Sequence, residues 1–372
     1  MLAIYTPTLG TPSETFIRRH IEHLLPGQAV VICDAVADQF REWGCNGLPV
    51  YRTTSFMNWN IKRFASAVSC WPLPSDIDPL VRFLRRHKVK VVLGEFMDQF
   101  LPIYAQLRHV GVNCYVHAHG HDVSAALKDP KAGCEYIAYA ESAGIITMSE
   151  FSKRELFAVG LPPEKIHVIP YGVDIPKAEH TARPAGSSIR CIAVGRMTPK
   201  KAPLLLLDAF RAALANGVNL ELEYIGGGDL FHMAADFVRM HRMENAVMLH
   251  GARDSAFVAE RLKLADIFVQ HSVRDPVSGD MEGLPVAILE AMGSGLPVVS
   301  TRHAGIPEQV VEDETGLLVD EGDVQGMAQN IVRLARNPEL CRRMGRAARH
   351  RALQKFSWEK NRNQLRAVMG LA

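Results

Sequence analysis

Short runs of β-branched residues alternate with longer helical patterns along most of this 372-residue chain. Such alternation is typical of parallel α/β architecture, because parallel strands need crossover helices between them. A polar, proline-containing stretch at residues 178–188 interrupts the pattern, predicts a linker, and divides the chain into two series. The chain is also longer than one hydrophobic core usually supports. The sequence therefore predicts two Rossmann-like domains in tandem.

The β-branched runs predict where the strands lie. In the first series they are predicted at residues 3–6, 29–33, 89–93, 113–118, 144–148 and 167–170, and in the second at 189–194, 220–225, 247–250, 267–270, 297–300 and 316–319. Parallel sheets of this kind bind ligands beyond the carboxyl ends of their strands, so the loops after the strands are the candidate binding segments. Two such domains facing each other would enclose a cleft, which is the default position for an active site.

The composition is that of a globular protein without a strongly charged surface. Apolar residues make up 48% of the chain and the formal net charge is +2, which gives no support for nucleic-acid binding. The amino terminus has no basic region followed by an apolar run, so we interpret it as a first strand rather than a signal peptide. The 7 cysteines are scattered and odd in number, which argues against a disulfide framework and favours a cytoplasmic location.

Two acidic residues, Glu282 and Glu290, bracket the segment that most constrains function. Gly283, Leu284 and Pro285 follow the first of them, and Pro285 suits the first position of a helix, where the missing N–H costs nothing. Glu282 would then lie in the loop before the helix, with Glu290 about 80° around the axis and about 12 Å along it. Such a pair can contact two parts of one elongated ligand whose phosphates lie near the positive end of the helix.

Basic residues and glycines follow two predicted strands of the second series. Gly195, Arg196 and Lys201 lie in the loop after residues 189–194, where the two bases can converge on a diphosphate. Gly226 and Gly227 lie in the next strand-to-helix turn, where a backbone can approach a ligand closely. Bases in loops are often only solvated, and glycine runs often only form turns, so each motif alone leaves both interpretations open.

Histidines cluster at the end of one predicted strand of the first series. His117, His119 and His121 precede Asp122 within six residues, which raises the question of a metal site. His117 and His119 share one strand face while His121 lies beyond a glycine, and no further Cys/His cluster in the sequence completes a coordination set. We therefore favour contact between the His119–Asp122 segment and a substrate hydroxyl over metal binding.

Near the amino terminus, Ser13 and Glu14 open the first predicted helix. Capping by Ser13, with Glu14 in the first turn, explains both residues, although the same backbone N–H groups could bind phosphate. Residues 52–74 mix aromatic and basic side chains. We favour a core-packing helix there over an amphipathic segment facing a membrane or an acceptor.

Taken in order, these motifs resemble those of family 4 glycosyltransferases, which retain anomeric configuration and have the GT-B fold. The resemblance covers nearly the whole chain, and the Asp-Met-Glu-Gly-Leu-Pro form of residues 280–285 is similar to the branch that assembles colanic acid and other exopolysaccharides. The positions that carry it are Gly10, His119 with Asp122, Ser149, Arg196 with Lys201, and Glu282 with Glu290. Many relatives have two adjacent glycines where this chain has Gly10 alone.

The resemblance implies an α/β fold of two Rossmann-like domains facing each other across a deep cleft, at residues 1–180 and 189–356, with a C-terminal helix at 357–372 crossing back to the first. It implies transfer of a sugar from a UDP- or GDP-linked donor to a saccharide or lipid-linked acceptor in polysaccharide biosynthesis. No cofactor and no metal are expected. Since many acceptors of this branch are lipid-linked, a peripheral contact of the first domain with the inner face of the membrane is also expected.

The resemblance also implies a role for each candidate residue. Arg196 and Lys201 would hold the diphosphate, Glu290 the ribose hydroxyls, and Glu282 and His119 the donor sugar. The other expected donor contacts are Gly10, Gly195, Gly226, Gly227, Gly283, Leu284 and Pro285. The expected acceptor or cleft residues are Ser13, Glu14, Asp122 and Ser149.

Alternatives of other classes remain at this point. The same fold is compatible with a sugar-nucleotide epimerase, with a phosphorylase that uses pyridoxal phosphate, or with a non-catalytic scaffold in a polysaccharide assembly complex. An NAD-dependent oxidoreductase is disfavoured, because the loop after the first strand lacks the Gly-x-Gly-x-x-Gly pattern.

Overall fold

A computed structural model describes residues 1–11, 14–37, 47–53, 78–177 and 188–371. The chain forms two compact units, one built from Met1–Pro170 together with the chain from Asn361 onwards, the other from Tyr171–Lys360. Three predicted features lie outside the described residues. They are Ser13, residues 178–187 of the predicted linker, and most of the aromatic and basic stretch at 52–74.

The first unit contains a parallel sheet with the spatial order β3-β2-β1-β4-β5-β6-β7. Its strands are β1 (Leu2–Leu9), β2 (Ala29–Val36), β3 (Val50–Arg52), β4 (Val91–Glu95), β5 (Asn113–His117), β6 (Gly144–Thr147) and β7 (Ile166–Val168). The direction of chain progression reverses between β1 and β4, and ligands of open α/β sheets bind at such a switch point. The loops after β1, β4 and β5 are therefore the ones to inspect.

Helices connect these strands. They are α1 (Thr15–Arg19), which continues as a π-helical turn at His20–Leu24, then α2 (Pro79–Arg86), α3 (Met97–Leu107), α4 (Pro130–Tyr136) and α5 (Glu150–Ala158). Short 3₁₀ turns lie at Ala126–Lys128, Ile137–Glu141 and Pro163–Lys165. Because helices cover the sheet, a strand such as β4 is buried at every residue, which explains its nearly continuous apolar sequence.

The second unit repeats the architecture with the spatial order β10-β9-β8-β11-β12-β13. Its strands are β8 (Ile189–Val194), β9 (Leu220–Ile225), β10 (Val247–Gly251), β11 (Ile267–Val269), β12 (Val298–Thr301) and β13 (Gly316–Val319). Its helices are α6 (Pro203–Leu214), preceded by a 3₁₀ turn at Pro199–Lys201, then α7 (Phe231–Met240), α8 (Ser255–Leu264), α9 (Val286–Gly293), α10 (Ile306–Gln309), α11 (Val324–Ala335) and α12 (Pro338–Lys355). The final helix, α13, spans Trp358–Met369.

The two Rossmann-like sheets confirm the predicted fold class. Every predicted strand is present, with its ends displaced by three residues or fewer. The three-residue strand β3 was not predicted, because Val50–Arg52 is too short and too exposed to give a hydrophobic pattern. Within the described residues, no helix is at once long enough and apolar enough to cross a membrane.

The end of the chain packs against the first unit, as the resemblance implies. Leu365 and Met369 of α13 join a buried cluster with residues on one face of that sheet, including Leu2 and Ile4. The Tyr115 hydroxyl also donates a hydrogen bond to the Val368 carbonyl at 2.9 Å. The closing helix thus completes the core of the unit that contains the amino terminus.

Helix α9, which carries Glu290, packs on α12 through a close backbone approach at Gly345. A Cβ built at Gly345 would lie 2.1 Å from the Gly295 carbonyl oxygen, so a side chain cannot be accommodated without moving the backbone. A glycine inside a helix costs about 1 kcal/mol relative to alanine. The close packing of α12 near the end of α9 offsets that cost.

This packing predicts that Gly345→Ala destabilises the protein by about 1–3 kcal/mol, because the new methyl group overpacks a rigid contact. Thermal unfolding of the variant measures the effect as a lower midpoint. Gly133→Ala is the matched control, since Gly133 is also helical but a Cβ there meets ordinary contacts at 3.5 Å. An equal midpoint for Gly345→Ala and the wild type would contradict the close approach.

Candidate active site

In the second unit, a buried ion pair joins two of the predicted site residues. The Lys201 ammonium lies 3.2 Å from Oε2 of Glu282, and the two side chains are only 13% and 9% exposed. Lys201 ends the 3₁₀ turn after β8, whereas Glu282 lies in the loop before α9. The structure therefore brings together two residues that are 81 positions apart in the sequence.

The charges of this pair depend on each other. Burial alone would raise the pKa of Glu282, but Lys201 and Lys200 outweigh it and hold that pKa below its ordinary value. Burial also lowers the pKa of Lys201, an effect that Glu282 opposes. The second carboxylate oxygen of Glu282, Oε1, is buried and has no hydrogen-bond partner among the described residues. A buried acceptor without a donor costs about 1–3 kcal/mol, so this oxygen is a natural contact for a ligand hydroxyl.

Lys200 fastens the loop that carries Glu282. Its ammonium lies 2.8 Å from Asp280 Oδ2 and 3.3 Å from the Met281 carbonyl oxygen, and its own carbonyl accepts the Val273 N–H at 2.9 Å. Two adjacent lysines therefore have different tasks. Lys200 holds the backbone of the loop, and Lys201 meets the carboxylate.

His303 supports the backbone of Glu282 from the loop after β12. The Glu282 N–H donates to His303 Nε2 at 3.0 Å, so that nitrogen must be unprotonated. Nδ1 then carries the proton and faces Glu321 Oε1 at 2.6 Å. The other oxygen of Glu321 accepts the Arg274 N–H at 2.9 Å. One neutral histidine and one carboxylate thereby hold both ends of the loop from 274 to 282.

Arg196 lies in the same loop as Lys201 and has an exposed side chain. The backbone beside it is tightly packed, since the Gly195 N–H donates to the Ile225 carbonyl at 3.0 Å and a Cβ at Gly226 would lie 1.9 Å from the Gly195 oxygen. Gly226 and Gly195 have φ angles of 154° and 157°. Gly227 follows without such crowding. The predicted glycine turn therefore lets two strand-end loops touch, and whether it also contacts a ligand stays a prediction.

Helix α9 begins one residue later than predicted. Pro285 has an extended ψ of 114° and precedes Val286, the first helical residue, so the expectation that proline opens the helix was wrong by one position. Gly283 and Leu284 are buried in the preceding loop, and Glu290 lies in the second turn with a half-buried side chain. The predicted placement of Glu282 before the helix and Glu290 within it agrees with the structure.

In the first unit, the carboxylate of Glu95 lies among three imidazoles at the carboxyl end of β4. Glu95 Oε1 is 2.6 Å from His20 Nδ1, and Oε2 is 3.0 Å from His117 Nδ1 and 2.9 Å from His119 Nε2. By residue type, His20, Glu95 and His117 could hold a divalent metal, and their ligand atoms lie within 4.8 Å of one another. The contacts of Glu95 with His20 Nδ1 and His119 Nε2 are hydrogen bonds, and His117 Nδ1 lies close to the same carboxylate.

This cluster corrects the expectation that the histidines at 117–121 have no further partners of ligand type. Glu95 and His20 complete a group around His117 that the local sequence did not reveal, since they come from other segments of the chain. His119 itself is 4% exposed, and its ring lies against Phe16 and Phe96 at centroid distances of 4.8 and 4.5 Å. The site around His119 is therefore built from three separate strand-end segments.

Asp122 supports the backbone of His119 from within the same segment. Its Oδ2 accepts the His119 N–H at 2.7 Å, and the side chain is fully buried. Burial and the neighbouring charge of Asp98 raise the pKa of Asp122 well above its ordinary value. This carboxyl group shapes the loop, and its predicted contact with an acceptor stays a prediction.

Three other predicted residues of the first unit have defined positions. Gly10 follows β1 with a φ of 98°, which suits a glycine. Glu14 occupies the position before α1 without a capping side-chain bond, so its predicted place in the first turn was wrong. Ser149 caps α5, because its Oγ accepts the Ser152 N–H at 3.1 Å. Their contacts with ligands remain predictions.

Sequence reasoning missed the residues that hold the others in place: Glu95, His20, Lys200, His303 and Glu321. A weak signal existed for two of them. Glu95 is an acid that ends the apolar run Val-Val-Leu-Gly, and His303 follows the strand after the Glu282–Glu290 segment. Both are polar residues at the carboxyl end of a parallel strand, where function concentrates.

Burial of neutral histidines makes a prediction about acid stability. Burial lowers the pKa of His119 to about 4, and the neighbouring His117 adds to this effect. Burial also lowers the pKa of His271 to about 4. As pH falls from about 6.5 to about 4, unfolded chains take up protons that the folded protein does not, so stability falls by up to about 3 kcal/mol for each histidine. Urea unfolding across this pH range measures the loss.

The variants His119→Asn and His271→Asn should each flatten this pH dependence, whereas His23→Asn, at an exposed position, should not. Identical slopes in all four proteins would show that neither buried histidine stays neutral in the folded state.

Similar solved structures establish the fold of the chain. It superposes on Anabaena Alr3699/HepE, crystallised in complex with UDP, with a TM-score of 0.80, 17% identity and 100% coverage of both chains. It also superposes on sucrose-phosphate synthase from Thermosynechococcus elongatus with a TM-score of 0.75 and 17% identity, covering 99% of this chain and 97% of the other. At this identity the likeness shows the fold alone, which is that of the GT-B glycosyltransferases.

Family models match both halves of the sequence. Residues 13–177 match the model described as Glycosyltransferase Family 4, and residues 179–351 match Glycosyl transferases group 1. The chain therefore belongs to family 4 of the glycosyltransferases.

Several relatives have names that refer to the transfer of a sugar. The amylovoran biosynthesis glycosyltransferase AmsK of Erwinia amylovora is 34% identical over 58% of this chain and 54% of its own length. WcaL of Salmonella typhimurium, a candidate colanic acid biosynthesis glycosyltransferase, is 32% identical over 60% of this chain and 56% of its own. The chain thus spans about half the length of these relatives. A GDP-mannose-dependent phosphatidylinositol monomannoside mannosyltransferase of Mycolicibacterium smegmatis is 26% identical over 77% of this chain and 78% of its own.

Proposed function

We propose that this protein transfers a sugar from a nucleotide-sugar donor to a saccharide or lipid-linked acceptor in polysaccharide biosynthesis. The buried carboxylate of Glu282 carries the proposal, because one of its oxygens meets Lys201 and the other has no hydrogen-bond partner among the described residues. A sugar hydroxyl that donates to Oε1 would satisfy the carboxylate without disturbing the ion pair. Glu282 is thus a hydrogen-bond acceptor for the donor sugar rather than a nucleophile.

Arg196 and Lys201 supply the positive charge that a diphosphate leaving group needs. Arg196 offers an exposed guanidinium, which can form a bidentate contact with phosphate oxygens, and Lys201 offers a point charge beside it. Charge develops on the diphosphate as the glycosidic bond breaks, and fixed cations stabilise that charge in the transition state. Glu290, in the second turn of α9, would accept hydrogen bonds from the ribose hydroxyls.

The names of the relatives support the same chemistry. One relative is named for amylovoran biosynthesis, another for GDP-mannose dependence, and a solved structure of the same fold holds UDP. Since UDP and GDP both occur among these names, the proposed donor is UDP- or GDP-linked. The comparisons give no support to the epimerase alternative.

The proposal extends to stereochemistry, cofactors and location. Glu282 is engaged by Lys201, so we propose front-face attack with retained configuration rather than a covalent glycosyl-enzyme. Arg196 and Lys201 would take the place of a divalent cation at the diphosphate, and no cofactor would be required. A lipid-linked acceptor would bring the protein to the inner face of the membrane through its first domain.

Substitutions at three site residues test the donor site. Arg196→Ala and Lys201→Ala should lower turnover by about 10²- to 10³-fold, because each removes stabilisation of the leaving group. Glu290→Ala should chiefly weaken nucleotide binding. Transfer assays, together with thermal shifts on a panel of nucleotide sugars, UDP and GDP, measure both effects, since tight ligands raise the unfolding midpoint.

Arg196→Ala is the cleanest of the three variants, because the exposed side chain can be removed without leaving a buried charge. Lys263→Ala is the matched control, since Lys263 is an exposed base that pairs with Glu260 in its own helix. Unchanged nucleotide affinity and turnover in all three site variants would rule out the proposed site.

Metal removal and product analysis test the chemistry. Treatment with a chelator should leave the transfer rate unchanged, and the anomeric proton signal of the product should show the configuration of the donor. If the chelator abolished transfer and only an added divalent cation restored it, Arg196 and Lys201 would not be sufficient to stabilise the leaving group. An inverted product would contradict front-face attack.

A further inference from the structure

The carboxyl end of the second sheet carries buried polar atoms that have no hydrogen-bond partner. Among the described residues of the second unit there are five such atoms, and all lie in segments that follow β8, β11 or β12: Thr198 Oγ1, Gln270 Oε1, His271 Nδ1, Glu282 Oε1 and Gln309 Oε1. Buried polar groups are normally paired, so each exception calls for an explanation. Ligands of α/β sheets bind at this end, which favours a ligand contact over a purely structural role.

His271 contributes the nitrogen of this set, and its surroundings decide which ring nitrogen holds the proton. The residue lies two positions after β11 and is fully buried. Its Nε2 accepts the Gly322 N–H at 3.0 Å, so Nε2 carries no proton. A neutral imidazole has one proton, which must then lie on Nδ1. Burial lowers the pKa of the ring to about 4, in agreement with a neutral imidazole near pH 7.

A comparison with His303 separates two tasks of such a histidine. His303 also accepts a backbone N–H through Nε2, in this case that of Glu282 at 3.0 Å. Its Nδ1 proton faces Glu321 Oε1 at 2.6 Å. His271 shares the first contact, but its Nδ1 has no acceptor among the described residues. The Nε2 contact is therefore structural in both rings, and the Nδ1 proton of His271 is the one that a ligand can use.

The loop after β13 brings His271 into the same group of loops as Glu282. Two adjacent residues of that loop are involved, because Glu321 contacts His303 and Gly322 contacts His271. His303 in turn holds the backbone of Glu282, whose Oε1 is a buried acceptor without a partner among the described residues. His271 Nδ1 can only donate and Glu282 Oε1 can only accept. A sugar suits such a pair, since its hydroxyl groups do both.

We propose that His271 is a specificity-determining residue of the donor site: its Nδ1–H donates a hydrogen bond to an oxygen of the transferred sugar, either a hydroxyl or an acyl carbonyl. The inference rests on the proposed function, because its ligand is the nucleotide sugar proposed there. Glu282 recognises a sugar hydroxyl as a donor, and His271 recognises a sugar oxygen as an acceptor. A sugar with a deoxy carbon at the contacted position is rejected, because the buried N–H is then left without an acceptor.

Nitrogen-15 NMR of histidine-labelled protein tests the tautomer before any ligand is added. The spectrum of His271→Gln assigns the His271 signals by difference. At neutral pH the wild type should show a protonated Nδ1 and an unprotonated Nε2. A ring protonated at Nε2, alone or together with Nδ1, would overturn the proposal, because Nε2 could then not accept the Gly322 N–H that fixes the ring.

Two substitutions separate the Gly322 contact from the proposed ligand contact. In His271→Gln the amide oxygen can replace Nε2 as the acceptor for Gly322, but the donor at Nδ1 is lost. In His271→Asn the amide nitrogen takes the place of Nδ1, so the donor is kept and the Gly322 contact is lost. We expect His271→Gln to keep an unfolding midpoint near that of the wild type and His271→Asn to lower it.

Titration calorimetry then measures affinity for UDP-glucose, UDP-N-acetylglucosamine and GDP-mannose, with UDP and GDP as references. His271→Gln should bind the nucleotide sugar that the wild type prefers about 10-fold more weakly, since one hydrogen bond to the sugar is lost, and should bind UDP or GDP as the wild type does. His271→Asn should keep the wild-type ratio of the two affinities. His250→Gln is the matched control, because His250 lies within β10 and contacts Glu223 Oε2 at 2.9 Å. It should change neither affinity.

The outcomes separate this inference from the proposed function. If His271→Gln binds the preferred nucleotide sugar as tightly as the wild type, His271 does not contact the sugar and the inference is wrong. If the wild type binds UDP or GDP but none of the three nucleotide sugars, the inference also fails, whereas the proposed nucleotide site survives. If the wild type binds none of the five ligands, the proposed function fails, and the NMR spectrum still decides the position of the proton.

Discussion

The burial of Glu282 beside Lys201 sets the requirements for the rest of the second unit. Breaking a buried ion pair by removing one partner typically costs about 3–5 kcal/mol, so each charge must be held where it meets the other. Lys200 and His303 hold the loop on which Glu282 lies, Glu321 holds His303, and the glycines at 195 and 226 let the Lys201 loop approach its neighbour. The site is therefore rigid before a ligand arrives, which is the condition for effective electrostatic stabilisation.

The first unit solves a similar problem with different partners. Glu95, like Glu282, is a buried acid that lies near the carboxyl end of a parallel sheet, but histidines rather than lysines surround it. Lysine ammonium groups suit contact with phosphate, whereas imidazole nitrogens suit hydrogen bonds with hydroxyl groups. The two buried carboxylates thus offer different chemistry, one beside lysines and the other beside imidazoles.

Particular residues show how far sequence reasoning reaches. Apolar runs such as Val91–Glu95 and Ile189–Val194 predict strands because helices cover both faces of the sheet, and the resemblance selects Lys201 and Glu282 as site residues. Lys200, His303 and Glu321 escape such reasoning because their contacts join loops that are far apart in the sequence. The exact start of α9 also escapes it, since Pro285 is compatible with either side of a helix boundary.

A crystal structure of the protein with bound UDP or GDP would show whether Arg196, Lys201 and Glu290 hold the nucleotide. We expect the diphosphate to lie within hydrogen-bonding distance of Arg196 and Lys201, with the ribose hydroxyls at Glu290 and the Lys201–Glu282 contact preserved. A nucleotide bound elsewhere on the second unit, or a diphosphate that displaces Lys201 from Glu282 and leaves that carboxylate unpaired, would contradict it.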